Sequence, residues 1–403
     1  MRDNTLLWVW LTTLRGMTAA KITSLLDKFE SVEEIYSKNS EDDFKNIALI
    51  RQNDINSLIN KDTQKAEKII NQIKVIEADI ITYESSEYPE KLKALPNPPY
   101  VLYVRGKLAD FSNGVSIGVV GTRKYSDYGK AVTIKLSYEL SKEGITIVSG
   151  MARGIDTFAA IAAMRAGGKT VAVLGSGIDV IYPPENVEVM KKISENGAVI
   201  SEYPPGTEPF RVNFPERNRI IAALSDGLLV TEAPKKSGAL ITAKYASEIG
   251  KTIFSVPGNV FAPNCVGTNS LIKAGYKMVT HPKDILEEYS YELSKIEKKT
   301  DSEPVFVEIP LKKAKRKKKP EDEEVIKEEV KQPIVVDIND EKFSELSDDE
   351  LKIVKILIEN GKTSVDELIR KSDLETATVN QLLPLMEIEG LVKRTEGNFY
   401  IID

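Results

Sequence analysis

Apolar residues along the chain change period three times, and each change marks a domain. From residue 1 to about 80 they recur at helical spacing, as in Ile22, Leu25, Leu26 and Phe29, and again in Ile69, Ile70, Ile73 and Ile76. This predicts a small helical domain over 1–80. From about 95 to 290, short β-branched runs (VSIGVV, ITIVSG, TVAVLG, AVISEY, GLLVTEA, TIFSVPG) alternate with alanine-rich amphipathic stretches. That alternation is the βαβ pattern of a parallel sheet covered by helices on both faces. The expected class is therefore α/β, a doubly wound sheet over 81–292. Residues 293–344 lose the periodicity in favour of opposite charge blocks with few aromatics, which predicts a flexible linker. Periodicity returns over 345–403 as three helical segments, LSDDELKIVKILIENG, SVDELIRKS and TATVNQLLPLMEIEG. They are followed by LVKRTEGNFYII with a turn at Glu396-Gly397-Asn398, the outline of a winged helix-turn-helix.

Charge sharpens this outline. The 403 residues carry 55 Lys and Arg against 61 Asp and Glu, a net of −6, so any polyanion must be held by a local cationic patch and not by the average field. One cysteine, Cys265, allows no disulfide within the chain and suits a reducing compartment. The opening apolar stretch follows the acidic Asp3 and has no small-residue cleavage site, and no later stretch approaches the roughly 20 apolar residues of a membrane span. A soluble cytoplasmic protein without membrane contact is expected.

In an open α/β sheet the ligand lies beyond the carboxyl ends of the strands, where glycines let backbone N–H groups approach it. The turns placed there are Gly121-Thr122-Arg123, the run Ser149 to Asp156 containing Arg153, Gly175-Ser176-Gly177, and Ser237-Gly238 at the start of a helix. Each alone also fits a tight turn, but together they outline one rim.

The stretches GTRKYSDYG, VSGMARGIDTFAA, VAVLGSGIDVIYPPEN, SEYPPGTEPFRVNFPERNRIIAALSDGLLVTEA, SGALITAKYA and SVPGNVFAPNCVGTNSLIKAGY follow one another across about 170 residues. In this order they resemble the successive motifs of the DNA-processing protein A (DprA/Smf) family. The resemblance implies an extended Rossmann-like fold, binding of single-stranded DNA, homodimer formation, and help in loading the recombinase RecA onto incoming strands during natural transformation. Two positions depart from the family pattern: Ala160 stands where histidine is frequent, and Glu216 where a basic residue is common. The second leaves two readings open, a weakened basic pocket or a helix cap, of which the cap is favoured.

The residues support this reading on their own chemistry. Arg123, Arg153, Arg217, Arg219 and Lys244 fall at strand ends or at the starts of following helices, and doubly wound topology brings several such positions to one rim. Arginine suits a phosphate because its planar fork donates two hydrogen bonds and its face stacks on a base. The expected DNA-binding set is Gly121, Thr122, Arg123, Arg153, Phe214, Arg217, Asn218, Arg219 and Lys244, with Gly175, Ser176, Gly177, Ser237 and Gly238 as phosphate-loop residues. Phe214 and Tyr125 offer stacking faces, although a buried ring is the favoured reading of each taken singly. Arg217 and Arg219 stand about 200° apart on a helix, so one of them is expected to turn away and meet an acid such as Glu202 or Glu232. Asn213 with Glu216 three positions on reads as a capping box. Leu271 and Ile272 are the expected anchors of a homodimer interface, with core packing as the alternative.

Covalent chemistry finds little footing. The single histidine, His281, precedes a proline, no metal-ligand spacing appears, and no cofactor or metal is expected. The rival reading is a nucleotide phosphoribohydrolase similar to the lysine-decarboxylase-like (LOG) family, in which a glutamate works beside a glycine-rich loop. TEAPKKSGALITA lacks that loop's double glycine and places Glu232 before it. At the N-terminus, LRGMTAAKITSLLDKF has the outline of a helix-hairpin-helix, but Thr18 replaces its second glycine, so a structural version is expected. The third helix of the winged domain, Glu375 to Glu389, carries three glutamates and no Lys or Arg, which favours a protein contact or packing over DNA. The KKAKRKKK run at 312–319 has an acidic successor to pair with and reads as solvated linker.

Overall fold

The computed structural model describes residues 4–108, 114–295, 346–388, 391–395 and 399–402. The expected linker, apart from residues 293–295, lies outside them, together with its KKAKRKKK run and the Glu396–Asn398 turn. The chain divides into two compact units, with the boundary at residue 314.

The first unit opens with six helices, α1 (Thr5–Thr13), α2 (Ala19–Leu26), α3 (Val32–Ser37), α4 (Glu41–Phe44), α5 (Gln52–Asn60) and α6 (Gln64–Val75). The hairpin between α1 and α2 is closed from within: Lys21 Nζ donates to Gly16 O and to the Asp54 carboxylate, both at 2.8 Å. Trp8 of α1 stacks on Tyr100 with ring centres 5.4 Å apart and planes 4° from parallel. Through Tyr100, Tyr103, Met151 and Met164 the helical core continues into that of the sheet.

The remaining elements are β1 (Asp79–Thr82), α7 (Glu90–Lys93), β2 (Val101–Gly106), β3 (Ser116–Val120), α8 (Asp127–Lys142), β4 (Thr146–Ser149), α9 (Ile155–Arg165), β5 (Thr170–Val173), α10 (Val187–Asn196) and β6 (Ala198–Ser201). After them come α11 (Asn213–Leu224), β7 (Gly227–Val230), α12 (Gly238–Glu248), β8 (Thr252–Ser255), α13 (Val266–Lys273), β9 (Lys277–Met278), α14 (Lys283–Leu286) and α15 (Ser290–Ser294). The strands form one sheet in the order β1-β2-β6-β5-β4-β3-β7-β8-β9. Strands β3 to β9 run parallel; β1 and β2 add an antiparallel edge. β1 begins at Asp79, so the sheet starts before the expected boundary at residue 81.

The sequence explains the layering. Residues Ile155 to Met164 of α9 are all buried, and the alanines among them let the helix approach sheet and neighbouring helix closely. α11 buries Ile220, Ile221 and Leu224 against the other face, each worth roughly 1.5–3 kcal/mol of transfer free energy. From β3 the chain winds outward through β4, β5 and β6, then returns to lay β7 on the other side of β3, with Val120 opposite Val230. The carboxyl ends of β3 and β7 are therefore the topological switch point, where a crevice opens.

The second unit consists of α16 (Asp348–Asn360), β10 (Thr363–Ser364), α17 (Val365–Ser372), α18 (Thr376–Ile388), β11 (Val392–Thr395) and β12 (Phe399–Ile402). A capping box starts α16: Ser347 accepts from the Glu350 amide and Glu350 accepts from the Ser347 amide. The strands form a sheet in the order β10-β12-β11 over a core that includes Ile353, Leu357, Leu368, Leu383 and Tyr400. This is the winged helix that the sequence predicts, with β10 added to the hairpin.

Candidate functional site

A cleft of about 910 Å³ occupies the switch point. Its walls are the turn after β3 (Gly121 to Lys124), the start of α9 (Ala152, Asp156), the loop and first turns around Pro209 to Asn218, and the start of α12 (Lys236 to Thr242). Five cationic side chains line it, Arg123, Lys124, Arg211, Arg217 and Lys236, against one carboxylate, Asp156. In a chain of net charge −6, this is the local reversal of sign that polyanion binding requires.

At its centre the exposed Arg123 guanidinium lies over the Phe214 ring, 4.9 Å from the ring centre. Phe214 in turn sits against Gly175, where an added Cβ would come within 3.1 Å of the ring. Asn213 Nδ2 donates to Gly175 O at 3.0 Å and fixes α11 to this turn. Asn213 is thus the first residue of α11 and a donor; the expected capping box with Glu216 does not form, because the side chain is spent on the turn after β5.

Arg217 reaches the cleft from beneath. Only 3% exposed, it donates Nη1 to Gly150 O at 2.7 Å and to Val173 O, and Nε to Asn218 Oδ1 at 3.2 Å. A Cβ at Gly150 would lie 2.4 Å from Arg217 Nη1, so a larger residue there displaces the guanidinium from its seat. Burial pulls the Arg217 guanidinium down to about 10, against the raising effect of nearby Asp156. Burial likewise pushes the Asp156 carboxyl above its ordinary value, with Arg217 opposing. The two shifts agree: for this pair, loss of water outweighs mutual attraction. Arg217 ties the ends of β4 and β5 together and supports Phe214 from 5.8 Å.

The expected residues therefore separate. Gly121, Thr122, Arg123, Phe214, Arg217, Asn218, Ser237 and Gly238 all line the cleft. Asn218 Nδ2 donates to Gly238 O at 3.4 Å, and Ser237 Oγ caps α12. Arg219 does not line it; it turns to the other side of α11 and donates to Glu202, with Nε 3.9 Å from Glu216. The angle of about 200° between alternate helix positions is the reason. Arg153 also lies outside the lining, with its fork held by both oxygens of Glu185. Lys244 points outward from α12, 3.7 Å from Glu248.

Gly175-Ser176-Gly177 spends its polar groups internally. Ser176 Oγ donates to Val180 O at 2.8 Å, its carbonyl accepts from Ser201 Oγ, and the Gly177 amide donates to Thr207 O. Leu271 and Ile272 are both half-buried on α13, and Leu271 packs on the sheet core. Sequence reasoning overlooked Lys124, Arg211 and Lys236, although each adjoins a quoted motif residue. Among the described residues no carboxylate forms an ion pair with these three or with Arg123.

Glu232, the carboxylate the rival hydrolase reading needs, is buried and accepts from the Ser126 amide at 2.9 Å and from Ser126 Oγ at 2.5 Å. It serves the start of α8. Among the described residues no group of three or more His, Cys, Asp or Glu could hold a metal ion, and no helix is long and apolar enough to cross a membrane.

The family model for DNA recombination-mediator protein A matches residues 79–290, and that for the DprA winged helix domain matches 341–398. Protein Smf of Synechocystis is 46% identical over 209 residues, 51% of this chain and 52% of its own length. The DNA processing protein DprA of Bacillus subtilis is 42% identical over 208 residues, 52% of this chain and 70% of its own. The match thus spans about half of the first relative and more of the second. The X-ray structure of DNA processing protein A from Streptococcus pneumoniae superposes with a TM-score of 0.63 at 33% identity, covering 70% of this chain and 98% of that one.

Proposed function

The chain belongs to the DNA recombination-mediator protein A family, and from that premise we propose that its cleft binds single-stranded DNA and that the protein delivers strands to RecA without covalent chemistry. The observation that carries this reading is the lining of the cleft, five cations to one carboxylate, with an arginine laid over a half-buried phenylalanine at its centre. Cations hold phosphates, and an arginine–aromatic pair offers a flat surface to a base. We further propose that it acts as a homodimer through α13, so that two clefts hold one strand and each raises the effective concentration of the other.

A titration with single-stranded DNA, duplex DNA and adenosine monophosphate, the last also assayed for hydrolysis, tests the reading. Salt-sensitive binding of single strands without hydrolysis is the expected result. Release of adenine from the monophosphate would transfer the cleft to the phosphoribohydrolase reading. The engagement of Glu232 by Ser126 speaks against that outcome.

A further inference from the structure

The loop between β6 and α11 presents Phe210 and Val212 to solvent, 59% and 72% exposed, with Arg211 between them lining the cleft. Single exposed apolar residues are ordinary on a protein surface. This pair differs because it flanks a lining residue of a cationic cleft and because the backbone of the loop that carries it is tied at several points. The Thr207 amide and Oγ1 donate to Pro204 O, and Thr207 O accepts from the Gly177 amide at 2.8 Å. The Gly206 amide donates to the Asp179 carboxylate at 2.8 Å. The Phe210 amide donates to Glu208 O at 2.8 Å, and Phe210 O accepts from the Asn213 amide at 3.0 Å. A backbone tied at these points leaves less of the loop to order on binding.

We propose that Phe210 and Val212 form a stacking lip on the cleft that takes an unpaired base of a nucleic-acid strand and so makes the site select single strands over duplex. The proposal rests on the cleft being a single-strand site and adds what distinguishes the two forms of DNA. Lysine and arginine contacts to phosphate do not distinguish them, since both forms present phosphates. A base face does: in duplex it is covered by its neighbours, and in a single strand it is free to stack on an aromatic ring. Arg211 lines the cleft next to Phe210 in sequence, so a strand whose phosphate meets Arg211 brings a neighbouring base within reach of the ring. Ile241, an exposed apolar residue of α12, is in the lining itself, whereas Phe210 and Val212 flank the lining residue Arg211.

The test uses the full chain carrying Phe210→Ala, Phe210→Trp or Arg123→Ala, titrated with a thymidine oligonucleotide and with a duplex of equal length at low and moderate salt. Phe210→Ala is expected to weaken single-strand binding about fivefold or more, leave duplex binding within about twofold, and keep the salt slope, because a stack and no charge is removed. Phe210→Trp is expected to retain single-strand affinity. Arg123→Ala is expected to weaken both forms and flatten the slope. Equal loss for both forms of DNA in Phe210→Ala overturns the lip. So does full single-strand affinity in that variant while Arg123→Ala weakens binding, a result that would assign the exposed ring to a protein partner. If neither substitution changes affinity, the cleft itself is not the binding site and the lip falls with it.

Discussion

The Arg123 guanidinium carbon stands 4.9 Å above the centre of the Phe214 ring, and the pair is held from three directions. Gly175 seats the ring from below, Arg217 stands 5.8 Å from it, and Asn213 fixes the helix that carries it. A long flexible cation is thereby given one resting place at the mouth of the switch point. Such a contact is worth about 0.5–1 kcal/mol at an exposed site. Its larger effect is on binding, since the side chain has less freedom to lose when a phosphate arrives.

Arg123→Ala removes this cation without touching the core. With about four phosphates neutralised per protomer, the logarithm of single-strand affinity should fall against the logarithm of salt with a slope of about −3. The variant should bind more weakly and flatten that slope by less than about one unit, while its thermal midpoint stays near that of the parent. Titrations at several salt concentrations measure both quantities. An unchanged slope and affinity would remove the turn after β3 from the interface.

Asp156 supplies a pH dependence whose sign is fixed by the direction of its shift. Burial raises its carboxyl in the folded chain, so the fold keeps the proton to a higher pH than the unfolded chain does. Its contribution to stability is then fully present below the ordinary aspartate value of about 4 and is lost as pH rises through the folded value. Asp156→Asn cannot ionise and escapes that loss. The stability of the variant relative to the parent should therefore increase from about pH 4 to about pH 7, as read by urea midpoints. Removal of the one carboxylate in the lining should also tighten single-strand binding at neutral pH. A variant whose stability relative to the parent falls from about pH 4 to about pH 7 would show Asp156 to be a net stabilising anion, and an equal difference at both pH values would show that folding leaves its titration unshifted.

How much of this was legible in the sequence depends on the scale. The parallel sheet was, because buried strands between helices leave runs such as TVAVLG that no other arrangement explains. β1 and β2 escaped because their antiparallel edge has no crossover helix to announce it, and β9 because two residues make no pattern. Site residues were legible by position and not by direction. Arg217 and Arg219 lie in one motif, yet one supports the cleft and the other meets Glu202; the helix angle predicts that one turns away, but which one depends on how α11 is rotated against the sheet. Arg153 looked free because its partner Glu185 is 32 residues away. Lys124, Arg211 and Lys236 were in view, but beside residues that fit a motif they read as ordinary surface charge.

For assembly, the structure changes which substitution is informative. Leu271 packs on the sheet core, so Leu271→Glu places a charge against apolar neighbours and is expected to cost stability whatever the oligomeric state. Ile272, half-buried on the same helix, is the cleaner probe. Ile272→Glu should give a folded monomer by light scattering with single-strand affinity reduced about tenfold or more, through loss of the second cleft on the same strand. A dimer of unchanged stability in this variant would place the interface away from α13.

The winged helix is expected to be dispensable for holding DNA. From Leu346 to Asp403 there are 7 Lys and Arg against 12 Asp and Glu, a net of −5, so phosphate repels the module as a whole. Within it, α18 has no basic residue in its last turn and none along Thr376–Ile388. A chain ending after Lys319 keeps the KKAKRKKK run and removes the wing; one ending after Lys295 removes both. The first should hold single strands within about threefold of the full chain or slightly more tightly, a difference of at most about 0.7 kcal/mol. Comparison with the second isolates the basic run, whose loss should show chiefly as a flatter salt slope. If the chain ending after Lys319 instead loses tenfold or more, about 1.4 kcal/mol, the wing touches DNA despite its charge. Lys393 and Arg394 on β11 are then the residues to replace next, because they are the cations of the wing hairpin.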